Sequence, residues 1–160
     1  METLTGDFQG NTTHVAKVID AGPDVYAHNL ETVERLTPSV RDRRAGYRQS
    51  LRVLEFAKSH KPTLYTKSSL MVGCGEEDFE VIQAMKDLRL AGVDFLTIGQ
   101  YMRPTKRHMK VESYIHPEKF NYYQNAGESV GFKYVASGPL VRSSYRAGEL
   151  FIKTILNSKN

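Results

Sequence analysis

Thr63-Leu64-Tyr65-Thr66-Lys67-Ser68-Ser69-Leu70-Met71-Val72, followed by Gly73-Cys74-Gly75-Glu76, is an apolar and β-branched run that empties into a glycine-bounded turn. Such a run reads as a buried strand. The period then changes: Phe79, Ile82, Met85 and Leu88 recur at three-residue steps and so share one face of a helix. Gly92 closes that helix as a C-terminal cap, and a second β-rich run occupies residues 94–102. Strand, helix and strand in this order make a right-handed crossover between parallel neighbours.

The same alternation continues on both sides of this unit. Residues 2–5 and 24–29 read as strands, and residues 134–140 as a fifth, less strongly patterned one. Val15, Val18 and Ile19 share a helical face, as do Tyr47, Leu51 and Leu54. His116-Pro117 opens a helix at the position where proline is tolerated, with Phe120, Tyr123 and Val130 as its apolar stripe. Ala147, Leu150, Phe151 and Ile155 pattern a final helix. The fold expected is α/β, with parallel strands alternating with helices, as an open sheet or part of a (β/α) barrel. No repeat, low-complexity tract or linker divides the chain, so residues 1–160 form one domain.

Composition narrows the function classes. With 40% hydrophobic and 25% charged residues, the chain is an ordinary globular sequence. Its net charge of +4 is scattered, densest at Arg41, Arg43 and Arg44, which read as a solvated helix entry or an anion patch. No nucleic-acid partner is expected from so dispersed a charge. Cys74 is the only cysteine, so neither an internal disulfide nor an all-cysteine metal site can form. No apolar run reaches membrane-span length, and METLTGDFQG lacks the pattern of a secretory signal. The chain reads as soluble, in a reducing compartment, with no membrane partner.

In either α/β architecture the ligand sits at the C-terminal ends of the strands. Asn29 and Glu31 follow the second strand two residues apart; they suit a ribose or amino-acid moiety, or they cap the next helix, and spacing leaves both open. Gly73 and Gly75 admit close backbone approach of a ligand, although a tight turn with Glu76 at a helix entry explains them as well. Lys67 lies inside an apolar strand, where an ammonium needs a partner or a polar cavity. Gln100 ends the fourth strand. Cys74 reads as a small loop residue, since nothing marks its thiol as activated. Gly138-Pro139 delivers Arg142, Ser143, Ser144 and Tyr145 to a helix start, a position that favours anions.

At these loops the chain resembles lipoyl synthases. The matching segments are Glu2 to Gly10, Val25 to Thr32, Thr66 to Glu76, Leu96 to Met102, Pro104 to His108 and Ala136 to Tyr145, in order and along nearly the whole chain. Residues 41–58 and 145–149 look like the eukaryotic, mitochondrial members. The resemblance implies a C-terminal half of a radical S-adenosylmethionine partial (β/α) barrel, working in the mitochondrial matrix. The intact enzyme would be a sulfurtransferase that inserts sulfur at C6 and C8 of a protein-bound octanoyl group. It would use S-adenosylmethionine and two [4Fe-4S] clusters, chemistry suited to unactivated C–H bonds.

The resemblance also assigns residues. Asn29, Glu31, Lys67, Gly73, Gly75, Glu76, Gln100 and Arg142 fall in the S-adenosylmethionine and ligand shell, and Ser144 becomes the serine ligand of the auxiliary cluster, with Ser143 as fallback. An alkoxide is a harder donor than the thiolates of iron-sulfur clusters, which suits an iron that is readily released. Implied partners are octanoylated lipoyl-carrier domains and iron-sulfur cluster delivery proteins. One departure is large: the C-x3-C-x2-C and C-x4-C-x5-C motifs of the family are absent from this chain. The sequence is therefore expected to be a fragment or one piece of a split enzyme, inactive alone. The alternative is a non-catalytic binding module derived from the barrel.

Overall fold

The computed structural model describes residues 1–144, and the helix expected around Ala147 to Ile155 lies outside the described residues, as does Tyr145. Five strands form one sheet: β1 (Glu2–Leu4), β2 (Val25–Ala27), β3 (Tyr65–Val72), β4 (Phe95–Gln100) and β5 (Tyr134–Gly138). All pairs are parallel and the spatial order is the sequence order, β1-β2-β3-β4-β5. That order has no switch point. Right-handed crossovers therefore put every connecting helix on one face, which makes the sheet an arc of a (β/α) barrel rather than a doubly wound sheet.

The helices are α1 (Thr12–Asp20), a short α2 (Thr37–Val40), α3 (Tyr47–His60), α4 (Asp78–Leu90) and α5 (Pro117–Val130). Their starts are chemically specified. The Asn11 side chain accepts from the Thr13 and His14 amides at α1, and Glu77 with Glu80 forms a reciprocal capping box at α4. Helix α5 has Pro117 in its first turn and ends on Gly131 at φ 105°.

Alternate strand positions divide the two faces. Tyr26, Leu70, Leu96, Ile98 and Val135 join the core together with Ile19, Leu54, Met85, Leu88 and Phe120 from the helices. Met85 and Leu88 are fully buried there, so truncating either to alanine costs about 2–5 kcal/mol. Lys67, Ser69, Thr97 and Gly99 occupy the other parity and face the inside of the arc, with Lys67 beside Phe95 and Ser69 beside Thr97 in register.

The strands are shorter than the sequence pattern suggested. Strand β2 stops at Ala27 rather than at residue 29, because the Leu30 amide turns to the Ser68 hydroxyl at 3.0 Å. Strand β3 starts at Tyr65 because Leu64 still bonds back to the Lys61 carbonyl in the preceding turn.

Candidate functional site

A cleft opens at the C-terminal ends of β3 and β4. Asn29, Glu31, Ser69, Met71, Gln100 and Arg142 line it, joined by Gly99, Met102 and Ser143. Its floor is the inner face of the sheet. The Thr97 hydroxyl lies fully buried on that face, beside Ser69 in register, and makes no hydrogen bond among the described residues.

Glu31 is the most constrained residue of the cleft. Its φ is 72°, a left-handed conformation rare for a residue with a side chain. Two backbone bonds impose it: the Glu31 amide donates to Ser69 at 2.9 Å, and the Glu31 carbonyl accepts from the Met71 amide at 2.8 Å. Asn29 and Glu31 thus reach the same cleft through a kinked bridge beside Leu70, not by alternation along an extended strand. They cap no helix either, since the next turn, Glu34–Leu36, has no side-chain cap.

A polar relay supports this corner. His28 sits buried between the Thr5 carbonyl at 3.0 Å and the Ser50 hydroxyl at 2.8 Å. Burial lowers its pKa below the ordinary 6.5, with the Arg41 charge adding to the effect, so the neutral ring donates to Thr5 through Nδ1 and accepts from Ser50. The Ser50 oxygen in turn accepts from Arg41 at 2.8 Å. Arg41 is therefore not the solvated companion of Arg43 and Arg44 that the sequence suggested. Its guanidinium is half-buried, where its charge acts on the Glu31 and Asp7 carboxylates.

Burial pushes the Glu31 carboxyl above its ordinary 4.5, against the Asn29 hydrogen bond and the Arg41 charge that pull it down. A raised folded pKa gives stability that is fully present below the ordinary 4.5 and is lost as pH rises through the raised folded pKa. Raising the pH therefore erodes stability through this buried carboxyl. Glu31→Gln, which cannot ionise, should raise Tm at pH 7. The gain should shrink in a melt at pH 4.5, and a Tm that fell at pH 7 would contradict it.

The remaining expected site residues are placed as follows. Gln100 lines the cleft, but its amide is spent on its own chain: Nε2 donates to the Tyr101 and Ser113 carbonyls, and Oε1 accepts from the Ile115 amide. Arg142 folds back, donating to the Val141 carbonyl at 2.8 Å. Lys67 lies deeper on the inner face, fully buried, with both Glu2 carboxylate oxygens at 2.9 Å. Gly73, Gly75 and Glu76 do not line the cleft. The Glu76 carboxylate accepts from the Gly73 and Cys74 amides, and the backbone that comes close to Gly73 is that of Ser113. Ser143 is half-buried in the cleft wall and Ser144 is exposed just beyond it. Cys74 is buried and its thiol is pushed up to about 12, chiefly by burial, which leaves it unreactive.

Ser69, Met71, Gly99, Met102 and Val141 were not singled out from the sequence. A Cβ on Gly99 would lie 2.1 Å from the Val141 carbonyl oxygen, so glycine lets the segment after β5 cross the end of β4 and wall the cleft.

No family model matches the chain. Curated relatives do. The mitochondrial lipoyl synthase of Candida glabrata is 61% identical over 159 residues, 99% of this chain and 41% of the relative. This chain is a lipoyl synthase homologue. The mitochondrial lipoyl synthase of Kluyveromyces lactis is 61% identical over the whole chain, which covers 43% of it, and that of Drosophila grimshawi is 60% identical, with 44% covered. The chain thus spans about two fifths of the length of these lipoyl synthases, matching their C-terminal part. Their mitochondrial designation agrees with the compartment expected from residues 41–58 and 145–149.

Among the described residues no group of three or more histidine, cysteine or carboxylate side chains is placed to hold a metal. An iron-sulfur cluster needs such a set, so the described residues do not fit one. The polar groups of the cleft suit S-adenosylmethionine in kind: the Glu31 acid and the Asn29 amide lie side by side and can hold polar or cationic groups.

Proposed function

We propose that this chain supplies the substrate- and S-adenosylmethionine-facing wall of a lipoyl synthase, which inserts sulfur at C6 and C8 of a protein-bound octanoyl group. The observation that carries the reading is that its strained Glu31, with Asn29 beside it, stands in the cleft at the strand ends of a barrel arc about 60% identical to lipoyl synthases. S-adenosylmethionine, when bound, supplies the hydrogen-abstracting chemistry that an alkyl chain demands. Asn29 and Glu31 hold its polar groups. The Glu31 carboxyl, whose charged form Asn29 and Arg41 favour against its burial, complements a cationic amino or sulfonium group. Gln100 fixes the loop that follows β4, and Met71 and Met102 give the alkyl chain an apolar wall.

The [4Fe-4S] clusters belong to cysteines outside this chain, with Ser144 as the one ligand contributed from here. Octanoylated lipoyl-carrier domains are the substrates, and iron-sulfur cluster delivery proteins are the partners that replenish the auxiliary site. Lipoyl formation on an octanoylated domain tests the reading, with the chain supplied together with the cysteine-bearing half of the Kluyveromyces lactis enzyme. Formation that depends on both pieces is expected; a mixture that binds clusters yet never yields lipoyl product overturns the reading in favour of a binding module.

A further inference from the structure

The loop between β4 and α5 carries more positive charge than the chemistry of the cleft uses. Residues 101–116 contain Arg103, Lys106, Arg107 and Lys110 against the single acid Glu112. Loops of this length are often mobile or functional. This one is braced along its length. Arg103 is consumed internally, donating to the His108 carbonyl at 2.9 Å and to that of Lys106. The Thr105 hydroxyl meets His108 Nδ1 at 2.8 Å, and the Tyr101 hydroxyl holds the Met109 carbonyl at 2.9 Å. Further on, the Glu112 amide bonds the Gly73 carbonyl, and Gln100 clamps Ser113 and Ile115. Met109, Val111 and Ile115 pack down on the core.

The bracing leaves Lys106, Arg107 and Lys110 exposed. On the helical side, Arg35, Arg48, Lys58, Lys119 and Lys133 each lie within ion-pair distance of a carboxylate. Among the described residues none of Lys106, Arg107 and Lys110 has such a partner. Three unpaired cations within five residues, on a loop with no freedom to find an acid of its own, lower the affinity for cations and raise it for an anionic surface. The loop leaves the sheet directly beside Met102 of the cleft wall, and it also exposes Tyr114. Apolar and cationic groups mixed on one rigid loop suit a folded protein face, whereas a nucleic-acid backbone asks for a longer basic stripe.

We propose that this loop docks the acidic face of the acyl-carrying protein domain, with Lys106, Arg107 and Lys110 meeting carboxylates while the acyl arm enters the cleft past Met102. The inference rests on the proposed function for its partner and adds the surface that selects it. Charge pairs at such a rim steer encounter and are screened by salt over a Debye length of about 10 Å at 0.1 M.

The test is the dissociation constant of an octanoylated lipoyl domain for the 160-residue chain, measured across ionic strength. It is repeated with the Lys106→Glu/Arg107→Glu/Lys110→Glu variant and with the milder triple glutamine variant, each checked by circular dichroism. Binding should weaken roughly tenfold or more in the glutamate variant at low salt, less in the glutamine variant, and the difference should fade above about 0.3 M salt as screening shortens. A lipoyl domain with its surface carboxylates neutralised should bind wild type and variants alike. Equal affinity of wild type and glutamate variant for the intact domain overturns the docking surface and leaves the proposed function standing. No binding by the wild type at any salt also overturns it, and lipoyl formation by the assembled enzyme then judges the proposed function separately. Tight binding of a short RNA without the lipoyl domain would replace the partner with a nucleic acid.

Discussion

Ser144→Ala should abolish lipoyl formation by the enzyme assembled with its cysteine-bearing half, while the chain folds as before. The substitution removes one oxygen from an exposed side chain that, among the described residues, makes no hydrogen bond or ion pair. Surface changes of that kind move stability by no more than about 0.5 kcal/mol. Lost turnover with an unchanged melt therefore points to a lost metal ligand. Iron and labile sulfide per assembled enzyme supply the second readout and should fall toward one cluster. Ser143 lies one residue back, half-buried in the cleft wall. If Ser143→Ala stopped turnover and Ser144→Ala did not, the ligand would be Ser143; if neither mattered, no serine of this chain would serve the auxiliary cluster.

Gly73→Ala should be among the most damaging small substitutions at the described residues. At φ +99° an alanine is strained wherever it sits, and the added Cβ would lie 2.3 Å from Gln100 Nε2 and 2.4 Å from the Ser113 carbonyl oxygen. The second contact is backbone that cannot rotate away. Left-handed strain and overlap together should cost about 3 kcal/mol or more, read from urea melts. The damage should also be local, because Gln100 loses its hold on Ser113 and Ile115. Faster amide exchange at residues 112–115 is expected, together with weaker lipoyl-domain binding, since the cationic loop hangs from this anchor. Gly6→Ala is the control: nothing lies within 4 Å of its Cβ, so its melt should match wild type. A Gly73→Ala chain as stable as wild type would show that the loop yields to accommodate it.

Much of this fold is legible in the sequence because its signals are local. The run from Thr63 to Val72, the three-residue recurrence from Phe79 to Leu88 and the cap at Gly92 together specify one parallel crossover, and that unit is the centre of the observed sheet. The cleft is only partly legible. Asn29 and Glu31 announce themselves as polar residues after a strand, yet what brings them together is the bridge from Glu31 to Leu70, a contact between segments 39 residues apart. Gln100 reads as a ligand-shell residue, and its partners Ser113 and Ile115 appear only once the loop has folded back. Arg41 looks like part of a surface cluster because neither Ser50 nor Glu31 is its neighbour in sequence. Ser69 had a usable signal: it shares strand parity with Lys67, which a strand reading already turns inward.

The most direct measurement is cluster content and S-adenosylmethionine cleavage after anaerobic reconstitution with iron and sulfide. It is made on the 160-residue chain alone and on the chain combined with the cysteine-bearing half of a curated relative. The described residues offer no ligand set, and Cys74 is buried with a thiol held protonated. The chain alone should therefore hold no stoichiometric cluster and leave S-adenosylmethionine intact, whereas the combination should hold two clusters, cleave S-adenosylmethionine and form lipoyl product. A full cluster on the chain alone, with cleavage of S-adenosylmethionine, would contradict the assignment of the cluster cysteines to a part of the enzyme outside this chain.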